Sequence, residues 1–255
     1  MKAKLGQNFL VDDDVLAYEA ECADARSNSV LEIGAGDGTL TSKLLAAGAG
    51  HITAVELDPK LARKLRIKFA TAKRVRVLEA DFLEFDESAK FGRIVGNIPY
   101  YITSPILLKL ARMEFGKAVL CIQKEVAARI VAEPGSRQYG RLSVFTQLCF
   151  KPEMLALVER TAFSPAPKVD SCIISLEKTG FVMGACEEKA IGSLFSHKKK
   201  SLKNAVVDAR RALFGSDDKP LAAKFAQTLK NSERKVFSLA PSEALEAARQ
   251  LCSTR

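Results

Sequence analysis

Histidine is nearly missing from this chain of 255 residues: His51 and His197 are the only two. The six cysteines, Cys22, Cys121, Cys149, Cys172, Cys186 and Cys252, form no C-x-x-C pair. Metal-ligand spacing is therefore absent, and no metal is expected. No cysteine has a histidine beside it in a pattern that would activate a thiol. Long apolar runs are lacking too, so no membrane span is expected. Met1 to Leu10 carries two lysines with no apolar stretch after them, unlike a secretory signal. These absences make a cytoplasmic protein the expectation. Cys121 and Cys172, inside apolar runs, then read as small buried hydrophobes in a reducing compartment.

Hydrophobic residues make up 47% of the chain, enough for a full core in one large α/β domain with a small appendage. The formal net charge is +9. It is unevenly spread: residues 180–255 hold 14 Lys/Arg against 8 Asp/Glu, a balance of +6. Charge gathered in one segment points towards a nucleic-acid partner.

Short β-like runs alternate with helical patterns. Strands are expected at Val30 to Ile33, Ile52 to Leu57, Val75 to Glu79, Arg93 to Gly96 and Ala118 to Ile122. Helices are expected at Thr39 to Ala47, from Pro59, at Ser104 to Glu114 and at Lys124 to Ala132. Met154 to Val158 and Cys172 to Leu176 read as a closing strand pair. Such alternation predicts a parallel, doubly wound sheet. After Lys178 the strand signal stops. Glu187 to Ser196, Lys198 to Phe214 with Gly215 as C-cap, and Ser242 to Leu251 read as helices. Two domains are expected, 1–179 and 180–255.

Four motifs carry chemistry. Glu32-Ile33-Gly34-Ala35-Gly36-Asp37-Gly38-Thr39 follows a strand and opens a helix, where open α/β sheets bind nucleotides. Thr39 stands where a dinucleotide fingerprint requires glycine. Glu56, ending the second strand, suits two ribose hydroxyls, although a solvated strand-end carboxylate would look the same. Asp81-Phe82 suits an adenine amine and its ring face, or equally a helix N-cap and a core phenylalanine. Asn97-Ile98-Pro99-Tyr100 follows the fourth strand. An adenine amine is a poor nucleophile because its lone pair is delocalised into the ring. The Asn97 side-chain oxygen and the Ile98 carbonyl could accept its two N–H groups and localise that pair. Pro99 holds Ile98 extended and adds no competing donor. Tyr100 offers a face for an extruded base.

These motifs occur in order with Gly6-Gln7-Asn8-Phe9-Leu10, Gln123-Lys124-Glu125-Val126-Ala127 and Phe163-Ser164-Pro165-Ala166-Pro167-Lys168-Val169-Asp170-Ser171. Together they resemble the KsgA-type ribosomal RNA small-subunit adenine N6,N6-dimethyltransferases from Leu5 to about Val206. The resemblance implies a Rossmann-like S-adenosyl-L-methionine methyltransferase sheet with an antiparallel last strand and a small C-terminal helical domain. It implies dimethylation of two adjacent adenosines in the 3′-terminal hairpin of small-subunit rRNA, within a pre-ribosomal particle, by a monomer. It places Gln7, Asn8, Leu10, Glu32, Gly34, Gly36, Glu56, Leu57, Asp81, Phe82 and Asn97 against the cofactor. Phe163 would be a second stacking face opposite Tyr100, where the residues alone suggest a core aromatic. The Asn-Ile-Pro-Tyr form and the short N-terminus resemble archaeal or eukaryotic members more than bacterial ones.

Lys198, Lys199, Lys200 and Lys203 precede or flank an apolar stripe of Leu202, Val206, Ala209 and Leu213. A charge run is usually a solvated face, but the family has a basic stretch here, which favours RNA contact. Three other readings fit parts of the pattern. One is the related antibiotic-resistance methyltransferase of large-subunit rRNA. Another is a non-catalytic nucleic-acid-binding factor of the same fold. The third, a nicotinamide dehydrogenase, fails at Thr39 and lacks a hydride-transfer histidine.

Overall fold

Near-continuous apolar runs dictate the centre of the molecule. In the computed structural model, which describes residues 8–86 and 88–253, Val30, Leu31, Ile33, Ile52, Ala54 and Val55 are buried on both faces of a sheet. The sheet strands are β2 (Ser29–Ile33), β3 (His51–Glu56), β4 (Val75–Glu79), β5 (Lys90–Asn97), β6 (Glu114–Gln123), β7 (Phe150–Val158) and β9 (Ser171–Lys178). Their order is β4-β3-β2-β5-β6-β9-β7. The pairs from β4 to β6 are parallel, while β9 runs antiparallel to β6, as expected for the last strand. A separate two-stranded ribbon pairs β1 (Phe9–Leu10) with β8 (Phe163–Ser164).

The chain forms two compact units, 1–127 with 151–178, and 128–150 with 179–255. The later division falls between Lys178 and Thr179, and residues 128–150 belong to the second unit. Tyr139 and Val144 share that unit's core with Ile191, Leu194, Leu202 and Ala248, which no reading along the chain could reveal. The first unit carries α1 (Asp13–Cys22), α2 (Thr39–Ala46), α3 (Pro59–Lys68) and α4 (Thr103–Arg112); α5 (Lys124–Ile130) follows β6. Asp58 caps α3 by accepting from Lys60 N–H at 2.7 Å, with Pro59 in its first turn.

The second unit carries α6 (Arg141–Cys149), α7 (Ala185–Phe195), α8 (Leu202–Asp208), α9 (Arg210–Phe214), α10 (Lys219–Thr228) and α11 (Pro241–Ser253). The single helix expected from Lys198 to Phe214 is not formed. Residues 198–202 bond to a neighbouring segment instead: Leu202 N–H donates to the Arg234 carbonyl (2.8 Å), Val236 N–H to Lys200 (3.0 Å) and Phe237 N–H to Lys198 (3.0 Å). The stripe of Leu202, Val206, Ala209 and Leu213 is buried as expected, and Gly215 closes α9 at φ 67°. Cys186 and Cys252 form a disulfide between α7 and α11, Cα atoms 6.0 Å apart, which the expectation of a reducing compartment did not include. Cys121 and Cys172 are buried and free. Among the described residues no helix is long and apolar enough to cross a membrane, and no group of three His, Cys, Asp or Glu could hold a metal ion.

Candidate active site

β2 has β3 on one side and β5 on the other, so the chain reverses its direction of winding between them. Open α/β sheets bind ligands in the crevice beyond such strand ends. A cavity of about 270 Å³ lies there, lined by Asn8, Phe9, Gly34, Gly36, Glu56, Asn97 and the Ile98 to Tyr101 run. A smaller one of about 70 Å³ shares Gly34, Pro99 and Tyr101 with it and adds Leu57, Asp81 and Phe82.

The three glycines of the β2–α2 turn do different work. All adopt positive φ, between 59° and 77°. Gly34 and Gly36 border the main cavity. Gly38 does not: a Cβ there would stand 2.6 Å from Leu65 and 2.7 Å from Phe69, so its role is close packing against α3 and the residue after it. Glu56 is 2% exposed. One of its oxygens accepts from Gly36 N–H and the other from Asp58 N–H, each at 2.8 Å. The carboxylate thus holds the turn in place while its remaining lone pairs border the cavity. Asp81 accepts from Leu83 N–H at 2.8 Å and caps the short 3₁₀ turn of residues 82–84. Asp81 thus caps this turn and also borders the smaller cavity. Leu57 is 48% exposed at the rim.

Asn97 ends β5. Its Nδ2 donates to the Asn8 carbonyl at 3.1 Å, which leaves Oδ1 as the end of the amide without that tie. Ile98 N–H donates to the Cys121 carbonyl at 3.0 Å, and the Ile98 side chain is buried. The backbone leading into Pro99 is thereby pinned to β6. The Tyr100 hydroxyl is 2.7 Å from Ser171 Oγ, which fixes the ring. Burial is the main cause that raises the Tyr100 phenol above its ordinary range, so it remains a neutral surface.

Three expected residues lie off both of these cavities. Phe163 is 4% exposed and belongs to the core with Leu16, Cys121 and Ile173; it does not line the cavity opposite Tyr100. Its strand pairs it with Leu10, which is likewise buried in that core and borders a small side chamber. Alternation along β1 turns Phe9, the neighbour of Leu10, towards the main cavity. Tyr101, 64% exposed, was missed, and Phe9 was not singled out within its motif. Strand alternation says that Phe9 and Leu10 face opposite ways, not which of them meets the cavity. Glu32 borders the side chamber rather than the main cavity, and accepts from the Thr41 hydroxyl at 2.6 Å. Gln7 lies outside the described residues.

In the second unit, the basic run is only partly free. Lys198 Nζ donates to the carbonyls of Arg137 (3.1 Å) and Tyr139 (2.6 Å), bracing a loop. Lys200 pairs with Asp208, and Lys203 with Glu233 at 2.6 Å. Lys199 is exposed and has no ion pair among the described residues. Arg129, Arg137, Arg141 and Lys198 surround a cavity of about 430 Å³ that the charge run did not indicate.

A buried and a half-buried acceptor at two successive strand ends suit a nucleoside, and an oriented amide beside a fixed aromatic ring suits a planar base. Sites of both kinds meeting beyond one parallel sheet define a Rossmann-like methyltransferase acting on a base. The family model described as ribosomal RNA adenine dimethylase matches residues 1–238, and the chain belongs to that family. A "Probable ribosomal RNA small subunit methyltransferase A" of Methanothermobacter thermautotrophicus is 38% identical over 98% of this chain and 91% of its own. A crystal structure of a dimethyladenosine transferase from Plasmodium falciparum matches with TM-score 0.79 at 27% identity, covering 94% of this chain and 95% of that one. The 23S rRNA methyltransferase ErmE matches at 0.68 and 30% identity, over 96% and 100%.

Proposed function

We propose that this protein uses S-adenosyl-L-methionine to dimethylate two adjacent adenosines in the 3′-terminal hairpin of small-subunit rRNA, acting as a monomer on a pre-ribosomal particle in the cytoplasm. The observation that carries the reading is the Asn97 amide, oriented by the Asn8 carbonyl, beside a Tyr100 ring held by Ser171. The donor set fits the cofactor. Glu56 and Asp81 offer carboxylate acceptors for ribose hydroxyls and an adenine amine, and Gly34 and Gly36 leave the turn open to close approach. Bound there, the cofactor would supply an electrophilic methyl group.

The protein's own residues would prepare the nucleophile. Asn97 Oδ1 and the Ile98 carbonyl accept the two N–H groups of the target amine and favour a pyramidal nitrogen. Tyr100 stacks on the base, and exposed Tyr101 borders the entrance. No general base is needed, because an alkylated amine cation loses its proton readily to solvent. The 1–179 region would hold the chemistry. The basic second unit would hold rRNA phosphates, with Lys199, Arg129 and Arg137 offering charge and Lys200 and Lys203 sharing theirs with acidic partners.

Incubation with methyl-labelled S-adenosyl-L-methionine and a mixture of small- and large-subunit particles tests this. Label on two neighbouring adenosines near the rRNA 3′ end is expected. Label confined to large-subunit rRNA would favour the activity named for ErmE, and no transfer would refute the enzyme reading.

A further inference from the structure

Glu19 sits at a core position of α1, between Leu16 and Ala20 on the buried face of that helix. It is 0% exposed, and neither carboxyl oxygen has a hydrogen-bond partner among the described residues. A buried polar group left in this way destabilises a fold, and a leucine would avoid the penalty. Both it and Glu32 border a chamber of about 40 Å³ beneath the glycine-rich turn. Phe9, Gly34, Gly36 and Asn97 line this chamber and the main cavity alike, so the chamber is a side pocket of the cofactor region. Its size suits a water molecule or an ammonium group.

The surroundings keep the two acids neutral. Burial raises each to about 8, and the nearness of a second acid, Glu32, adds to the rise at Glu19. Asp37 in the turn and Glu56 on β3 raise Glu32 further, while the Thr41 hydroxyl on α2 and Lys68 on α3 oppose them. The buried Cys121 thiol of β6 also faces Glu19 and is itself pushed up, chiefly by burial. Among the described residues, Lys68 is the cation that acts on the pair, and its ammonium donates to the Asp37 carbonyl at 3.0 Å.

We propose that Glu19, beside Glu32, receives the α-ammonium of the cofactor's amino-acid portion, and that Glu19 releases its proton to solvent when that cation arrives. The proposal rests on the S-adenosyl-L-methionine reading. One carboxyl O–H bond breaks, its proton passes to the buffer, and the carboxylate accepts from the ammonium. The free protein thereby avoids a buried unpaired charge, and the bound form gains a charge-assisted contact.

Calorimetry on the full chain at pH 7, in two buffers of different ionisation enthalpy, tests this. S-adenosylhomocysteine carries the ammonium without a sulfonium charge, and 5′-methylthioadenosine lacks the amino-acid portion. Wild type should release about one proton with the first and almost none with the second. Glu19→Gln should lose that release and bind S-adenosylhomocysteine roughly 10- to 100-fold more weakly, as expected for one charge-assisted contact. Its affinity for 5′-methylthioadenosine should stay the same. Glu19→Leu should melt above wild type without ligand. A carboxyl raised in the folded state lends stability below about pH 4.5, which is lost as pH climbs to about 8, so the Leu advantage should grow from pH 5 to pH 8. Unchanged affinity and proton release in Glu19→Gln would overturn the proposal alone. If wild type bound neither nucleoside, the cofactor reading would fall with it.

Discussion

Asn97 illustrates how much one side chain depends on another far along the chain. Its residue type and its place after a strand were legible, because an acceptor amide before Ile-Pro-Tyr suits an adenine amine. The orientation of the amide was not, since it comes from the carbonyl of Asn8, 89 positions away. Asn97→Ala should reduce single-turnover methyl transfer at least 100-fold, roughly 3 kcal/mol of transition-state stabilisation. Cofactor affinity measured by calorimetry should stay within a few-fold of wild type, because the acceptors at Glu56 and Asp81 are untouched. Full transfer by the variant would remove Asn97 from the chemistry. Phe163 carries the opposite lesson. The residues alone suggested a core aromatic, the family resemblance suggested a stacking face, and burial against Leu16, Cys121 and Ile173 supports the first.

At the scale of elements, the glycine-rich turn divides its labour in a way that spacing alone conceals. Gly34 and Gly36 leave room at the cavity, whereas Gly38 leaves room for Leu65 and Phe69. Gly38→Ala combines a positive φ of 77° with a side-chain collision. It should lower stability by about 2–4 kcal/mol and the melting temperature by roughly 5–15 °C. Thermal melts would check this, and an unchanged melting temperature would show that α3 gives way easily. Helix α1 was not legible, because Glu19 interrupts its apolar face with a charged residue type. The helix expected from Lys198 failed for another reason. Its first residues satisfy their backbone groups against residues 234–237, a partner that local propensity does not include.

At the scale of the whole molecule, the +6 balance of residues 180–255 was readable by counting, but its availability was not. Lys198 braces a loop, and Lys200 and Lys203 are matched by acids. Arg129 and Arg137 come from outside the counted segment and have no ion pair among the described residues. Removing one cation that neutralises a phosphate should flatten the log–log dependence of rRNA affinity on salt by about 0.7–0.9. Replacing both Arg129 and Arg137 with Gln should therefore flatten it by roughly 1.5. Replacing Lys200 and Lys203 should flatten it less, because their acidic partners already offset them. Salt titrations of both double variants decide the matter, and equal slopes in all proteins would leave these cations as a solvated face.

The sequence by itself determined the parallel sheet, the positions of its strands and the acceptors at their ends. Those depend on short-range patterns: apolar runs long enough to be buried on both faces, glycines where φ must be positive, and polar residues placed one turn after a strand. The tertiary structure alone decided which neighbour of a strand pair faces the cavity, Phe9 or Leu10, and that residues 128–150 join the helical unit. It alone brought Glu19 and Glu32 to one chamber and Cys186 to Cys252. Each of these joins segments distant in the chain. The energy comes from burial and hydrogen bonding that exist only once both segments are packed, so no local pattern records it.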